Sequence, residues 1–424
     1  MLQLINVGHK SLADYATIAT RGLMDEIRSL AEPLAGARVL ELSATAFGGG
    51  VAEIQYTLVP LLQDAGLNVE WRIIKGADEF FAATKTIHNA LQGNPQGLTD
   101  EQRAVFRSFQ ELNAREIDID AYDFVFVHDP QPVGVIDYIG GGSAKWTWRC
   151  HIDLSTPNEE VLDFVVPSIA RYDAAIFHLV EYVPHRDGLP PCVIWPPAID
   201  PLAPKNMALS PEDAAYIVDQ FGIDISRPLV TQISRFDPWK DPLGVIDAYR
   251  VAKQEQVGLQ LALVGSMAHD DPEGWEYWNQ TVAYADGDPD IFILSNLNNV
   301  GSVEVNAFQV HADAVIQKSI KEGFGLTVSE SLWKARPTVA GRVGGIVTQI
   351  EEGRTGWLVN SSEECAAAVL EILADRRDAR VRALAGKEHV RKHFLTPRLV
   401  RDRLALFNRL VGRETGTHLE VIAA

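Results

Sequence analysis

The chain has 424 residues, 46% of them hydrophobic, which is enough for two or three domains with cores of their own. Lys and Arg number 38 against 57 Asp and Glu, a net charge of −19 that excludes the basic footprint of a nucleic-acid-binding protein. Cys150, Cys192 and Cys365 form no CxxC pair and read as free thiols of a reducing compartment. The first ten residues carry no signal-peptide pattern, and no run approaches the roughly 18 apolar residues of a membrane span, so a cytoplasmic protein is expected.

In chain order, residues 38–42 read as a buried strand running into Gly48-Gly49-Gly50. A helix follows with Val51, Ile54, Leu58, Leu61 and Leu62 on one face. Further strands are expected at 68–74, 124–127, 145–151 and 174–177. Pro196, Pro197, Pro201 and Pro204 then crowd a stretch that suits a linker better than a sheet. A second series follows, with strands at 229–233, 260–264, 291–294, 314–317 and 337–340. Its helices are expected at 242–254, 274–285, 303–311, 326–334 and 363–374. The alternation predicts an α/β protein with two Rossmann-like halves, each built on a parallel sheet, facing across a cleft at the carboxyl ends of the strands. The expected domains are 1–200 and 201–395, with 396–424 a C-terminal helix whose candidate partner is the first domain; its periodicity does not say where it packs.

The richest stretch is Lys321-Glu322-Gly323-Phe324-Gly325-Leu326-Thr327-Val328-Ser329-Glu330. It follows a strand and opens a helix, so backbone N–H groups and the positive end of the helix dipole face the loop and suit an anion. Glu322 stands at the helix mouth, and Glu330 about two turns further on. Carboxylates are poor phosphate ligands but good acceptors for hydroxyls, which points to a sugar and a ribose. The plainer reading is one Glu favoured by the dipole and one solvated Glu.

Arg235 and Lys240, in Ser234-Arg235-Phe236-Asp237-Pro238-Trp239-Lys240-Asp241-Pro242, bring two cations to the end of the first strand of the second half. Both suit a diphosphate; the competing reading pairs them with Asp237 and Asp241 at the surface. Gly48-Gly49-Gly50 is not a GxGxxG fingerprint, and it serves either a tight turn or close approach to a phosphate or acceptor. In Trp148-Arg149-Cys150-His151-Ile152-Asp153, the residues Arg149, His151 and Asp153 alternate and would share one face of an extended chain. No HExxH, zinc-ligand spacing, GxSxG or Walker sequence is present, so no metal site is expected.

Together these motifs, with Gly344-Gly345-Ile346 and Thr355-Gly356-Trp357-Leu358-Val359, resemble the retaining glycosyltransferases of the GT-B fold, glycosyltransferase family 4. Within that family, residues 303–309, Glu322–Trp333, His128-Asp129-Pro130-Gln131-Pro132 and Trp148–Ser155 resemble the trehalose glycosyltransferring synthases. The resemblance covers most of the chain. It implies that Arg235 and Lys240 hold the donor diphosphate, and that Glu322 and the amides of Gly323, Phe324 and Gly325 orient the donor glucose. It further places Glu330 on the ribose, His151 on the donor sugar near its 6-hydroxyl, and Gly49 and Gly50 beside phosphate or acceptor. Asp129, Arg149 and Asp153 would hold the acceptor. The implied substrates are a nucleoside-diphosphate glucose, of ADP, UDP or GDP type, with glucose and trehalose. No tightly bound cofactor is implied, Mg2+ would enter only with the nucleotide, and a homodimer is the candidate assembly. A trehalose phosphorylase using glucose 1-phosphate, another hexosyltransferase, and a non-enzymatic sugar sensor remain the alternatives.

Overall fold

The computed structural model describes residues 1–47, 49–140, 142–267 and 272–422. Gly48, part of the first glycine run, lies outside the described residues. Contacts divide the chain into two compact units, one of Met1–Ala198 with Thr396–Ala424 and the other of Ile199–Leu395.

The first unit contains β1 (Gln3–Leu4), β2 (Arg38–Ser43), β3 (Asn68–Ile73), β4 (Phe124–His128), β5 (Lys145–Arg149), β6 (Ala174–Phe177) and β7 (Cys192–Ile194). The second contains β8 (Leu229–Ile233), β9 (Gln260–Val264), β10 (Ile291–Leu294), β11 (Ala314–Gln317), β12 (Thr338–Gly341) and β13 (Trp357–Val359). β14 (Glu420–Ile422) returns to the first sheet, whose order is β1-β3-β2-β4-β5-β6-β7-β14. That sheet is parallel except at its two edges, where β1 and β14 run antiparallel to β3 and β7. The second sheet, β10-β9-β8-β11-β12-β13, is parallel throughout. Each unit is thus an α/β half built on a parallel sheet, as the alternation of strands and helices predicts.

The central strands read as continuous apolar runs because helices cover both faces. Phe124, Val125, Phe126, Val127 and His128 are all buried, with Phe124 and Phe126 in the cluster on one face and Val125 and Val127 in that on the other. The helix Thr396–Leu410 belongs to this unit. It buries Leu399, Val400, Leu404, Leu406 and Phe407, and the Phe407 ring stacks on Phe124 at 4.2 Å. Among the described residues no helix is long and apolar enough to cross a membrane. All three cysteines are buried and unbridged.

The expected spans differ from the structure mostly by a residue or two. One difference matters: β5 stops at Arg149, not at 151. Arg149, His151 and Asp153 therefore do not share a strand face; the chain leaves the sheet between the first and second of them. The strands that sequence reasoning passed over, β1, β7, β13 and β14, are two or three residues long, too short to show a period.

Candidate active site

In the second unit, β8 ends at Ile233 and the chain turns through Asp237, which accepts the Lys240 N–H at 3.1 Å. Asp241 adopts the left-handed conformation (φ 50°), which Asp tolerates, and caps the helix Pro242–Glu255 by accepting the Gly244 N–H at 3.1 Å. Two aspartate caps thus fix the backbone on either side of Lys240. Its ammonium lies 2.5 Å from Glu322 Oε2, with both side chains largely buried. Asp241 pairs with Lys318 instead. Arg235 is 71% exposed and 3.6 Å from Asp237. The surface-pair alternative is therefore corrected for Lys240, whose partner is Glu322, while Arg235 does keep company with Asp237.

Glu322 sits three residues before Gly325, which has φ 83° and stands at the N-cap of the helix Leu326–Trp333. Its N-cap glycine offers no side-chain cap, and in the first turn the Val328 N–H donates back to the Gly325 carbonyl at 3.0 Å. Gln349 pins the loop from behind, its amide donating to the Phe324 carbonyl at 2.5 Å. Gly345 packs against the same loop: a Cβ there would lie 2.7 Å from both Gly323 O and Phe324 Cα. Glu330 is the fifth residue of the helix, about one turn in rather than two, because the helix begins only at Leu326. It is 2% exposed, with Lys205 Nζ 2.6 Å from Oε1 and Gln309 Nε2 3.4 Å from Oε2. Burial alone would push its pKa up, but the Lys205 and Lys334 charges outweigh burial and hold it below the usual carboxylate range. Lys205 comes from the proline-rich stretch read as a linker.

In the first unit, Gly49 (φ 90°) and Gly50 open the helix Gly50–Asp64, again without a side-chain cap. Asp129, also left-handed (φ 64°), follows β4 and accepts the His151 N–H at 2.9 Å, while its own N–H donates to the Arg149 carbonyl at 2.9 Å. Asp129, Arg149 and His151 thus come together; Asp153 lies two residues beyond, its carboxylate accepting the Ser155 N–H at 2.8 Å. Arg149 is fully buried and held over Trp195 at 5.7 Å, and its Nε and Nη2 have no hydrogen-bond partner among the described residues. Burial, with Arg403 and Arg398 nearby, brings its pKa down to about 9. Behind His151 stands His128, and behind that Glu41, Gln55 and Arg403, all buried. Sequence reasoning gave none of these four an individual role, although His128 and Gln55 delimit segments it offers for the acceptor. A signal existed: Glu41 interrupts the apolar run of β2, and Arg403 interrupts the apolar stripe of the last helix.

Burial pushes the Asp129 carboxyl up to about 7, against the His151 N–H and Arg149, which favour its charge. The folded chain then keeps a proton that the unfolded chain has lost, so stability falls as pH rises through the interval up to about 7. Asn tolerates the same backbone and can accept the same N–H. Asp129→Asn is expected to melt a few degrees above the parent at pH 8, since one pKa unit is ~1.4 kcal/mol and ~1 kcal/mol moves Tm by 2–4 °C at this size. The gap should narrow at pH 5. Differential scanning calorimetry at both pH values measures it; a gap of equal size at both would contradict the raised carboxyl.

Residues 41–184 match the profile for the trehalose synthase N-terminal domain, and residues 216–389 that for glycosyl transferases group 1. The chain is 59% identical to the trehalose synthase of Rubrobacter xylanophilus over 97% of its own length and 100% of that protein's. It is 44% identical to the trehalose synthase of Pyrococcus horikoshii, covering 96% and 98%. Among solved structures, an E. coli chain described as trehalose-6-phosphate bound with UDP-2-fluoro glucose superposes with a TM-score of 0.70 at 13% identity, covering 89% of this chain and 100% of that one, a likeness of fold alone. With both halves matched and these relatives covered over nearly their whole length, the chain belongs to the trehalose synthase family of GT-B glycosyltransferases, enzymes of trehalose-related glycosyl transfer.

Proposed function

We propose that the protein transfers glucose from a nucleoside-diphosphate glucose to free glucose with retention, forming α,α-trehalose. The observation that carries this reading is the Lys240–Glu322 pair at the mouth of an uncapped helix. It sets a cation for a diphosphate beside a carboxylate for sugar hydroxyls. Arg235, exposed one turn of chain earlier, adds a second cation with a planar fork suited to phosphate oxygens. The amides of Gly323, Phe324 and Gly325 orient the glucose, and Glu330 takes the ribose diol. The names of the relatives support trehalose as the product, and the description of the E. coli neighbour names a UDP sugar.

In this reaction the acceptor hydroxyl oxygen bonds to the anomeric carbon as the bond from that carbon to the phosphate oxygen breaks. The leaving phosphate oxygen takes the acceptor proton on the same face, and the nucleoside diphosphate departs. Arg235 and Lys240 stabilise its growing charge. No tightly held cofactor is needed, and a Mg2+ ion would travel with the nucleotide. The acceptor is glucose rather than glucose 6-phosphate. Near Asp129 and His151, the buried cations Arg403 and Arg398 are already paired with Glu41 and Asp402, and Arg149, with Nε and Nη2 unpartnered among the described residues, is a poor match by itself for a phosphate of roughly two charges.

A panel of ADP-, UDP- and GDP-glucose and glucose 1-phosphate, each with glucose and glucose 6-phosphate in competition, tests the proposal. Trehalose from a nucleotide sugar and glucose, with the α,α linkage read by NMR, is expected. Trehalose from glucose 1-phosphate alone would make it a phosphorylase, and a predominance of trehalose 6-phosphate would refute the acceptor assignment.

A further inference from the structure

A chain of buried polar groups runs through the first unit to His151. Arg403, from the helix Thr396–Leu410, pairs with Glu41 Oε1; both are 0% exposed. Glu41 Oε2 lies 2.7 Å from His128 Nε2, and His128 Nδ1 lies 3.0 Å from His151 Nε2, with the two imidazoles stacked at 5.3 Å. Gln55 Nε2 lies 3.0 Å from Glu41 Oε2 and 3.0 Å from His128 Nε2.

The proton positions follow from these distances. Burial pushes Glu41 toward neutrality, but Arg403 and His128 outweigh it, so the carboxylate is charged and can only accept. At 2.7 Å from it, His128 Nε2 must carry the hydrogen. Gln55 Nε2 and His128 Nε2 are then both donors converging on one carboxylate. Burial keeps His128 neutral, which leaves its Nδ1 as an acceptor. His151 Nε2 must therefore donate to it. Burial, with Arg149 next, keeps His151 neutral too, so its Nδ1 holds a bare lone pair. The hydrogen bonds of His151 to the described residues are those at Nε2 and at its backbone N–H.

We infer that Glu41 and His128 are positioning residues that hold His151 as the Nε2–H tautomer, with Nδ1 ready to accept from a hydroxyl of a bound sugar. The proton arrangement stands on these distances together with the charge of Glu41 and the neutrality of the two imidazoles; only the identity of the hydroxyl rests on the nucleotide-sugar reading. Arg403 fixes the far end, so the last helix of the chain reaches the site through Glu41. An acceptor at this point discriminates a hydroxyl from a missing one, because an unmet buried polar group costs the binding of the deoxy analogue.

The experiment is 15N–1H NMR of the whole, unliganded chain labelled at histidine, with the His151 and His128 imidazoles assigned by their loss in His151→Gln and His128→Gln. Protonated Nε2 and bare Nδ1 on both rings are expected; a hydrogen on Nδ1 of either ring overturns the inference whatever the activity of the protein. Kinetics supply the second arm, with nucleoside-diphosphate glucose as donor. His128→Leu removes the acceptor for His151 and should lower kcat at least ten-fold. His128→Gln, whose amide can still donate to Glu41 and accept from His151, should recover most of that loss. Equal losses in the two variants, or wild-type kcat in the leucine variant, would overturn it. If His128→Leu does not fold, the NMR result on the native chain decides. Should the native protein fail to use any nucleotide sugar, the functional reading falls while the tautomer measurement still stands on its own.

Discussion

Replacing Lys240 with alanine is expected to lower kcat/KM by about 10²–10³-fold, the loss seen when one preorganised donor to developing oxyanion charge is removed. Two aspartate caps, at Asp237 and Asp241, fix the backbone around Lys240, and Glu322 holds its ammonium, so that less freedom remains to be lost when charge builds on the leaving diphosphate. A rival account exists in the same geometry. Lys240 lies 2.5 Å from Glu322, both mostly buried, and its loss could act only by leaving that carboxylate without a counter-charge. The two accounts part in the double variant. If Lys240 merely neutralises Glu322, then Glu322→Gln in the Lys240→Ala background restores activity. If Lys240 meets the diphosphate, the double variant is no better than the single one and loses the sugar contact as well. Steady-state kinetics of the four proteins, with circular dichroism to confirm the fold, decides between them. Restoration by Glu322→Gln would remove Lys240 from the diphosphate role.

The fold was legible because its signals are long and repeated. Strands of four to six apolar residues, covered on both faces, recur between amphipathic helices, and short edge strands such as β1 and β14 add nothing to that rhythm. The loops at 234–242 and 321–330 were legible because they carry turn chemistry along with charge: Asp-Pro before Lys240, and glycine on either side of Phe324. What stayed hidden was pairing at long range. Lys240 meets Glu322 from 82 residues away, and Arg403 meets Glu41 from 362 away. Nothing local announces such partners, although a charged residue inside a buried strand demands one somewhere. The alternation of Arg149, His151 and Asp153 misled for the opposite reason. Period two is informative only while the chain stays extended, and here the strand ends at its first member. Lys205 was overlooked because prolines around it mark irregular backbone, and irregular backbone can still deliver a side chain to a buried carboxylate.

That pair makes the second large effect one of stability as well as binding. Glu330→Ala removes the buried carboxylate that faces the Lys205 ammonium, and removing one partner of a buried ion pair typically costs ~3–5 kcal/mol. Lys205 is 21% exposed, so water screens part of the loss and a value toward the lower end is expected, roughly 3 kcal/mol or a Tm fall of several degrees. The same pairing sets a sign for pH. Because Glu330 titrates below its ordinary value in the folded chain, the pair stabilises above the unfolded carboxylate pKa and its contribution fades as pH falls through the folded one. The difference in Tm between parent and Glu330→Ala should therefore be full at pH 7 and shrink in acid. Donor binding separates from this. A ribose contact is the same in ground and transition states, so its loss raises the donor KM and leaves kcat nearly unchanged. Combining Glu330→Gln with Lys205→Met removes both buried charges at similar volume and should recover most of the lost Tm, while the donor KM stays high. Recovery of KM along with Tm would mean that Glu330 serves only to neutralise Lys205, and that the ribose is held elsewhere.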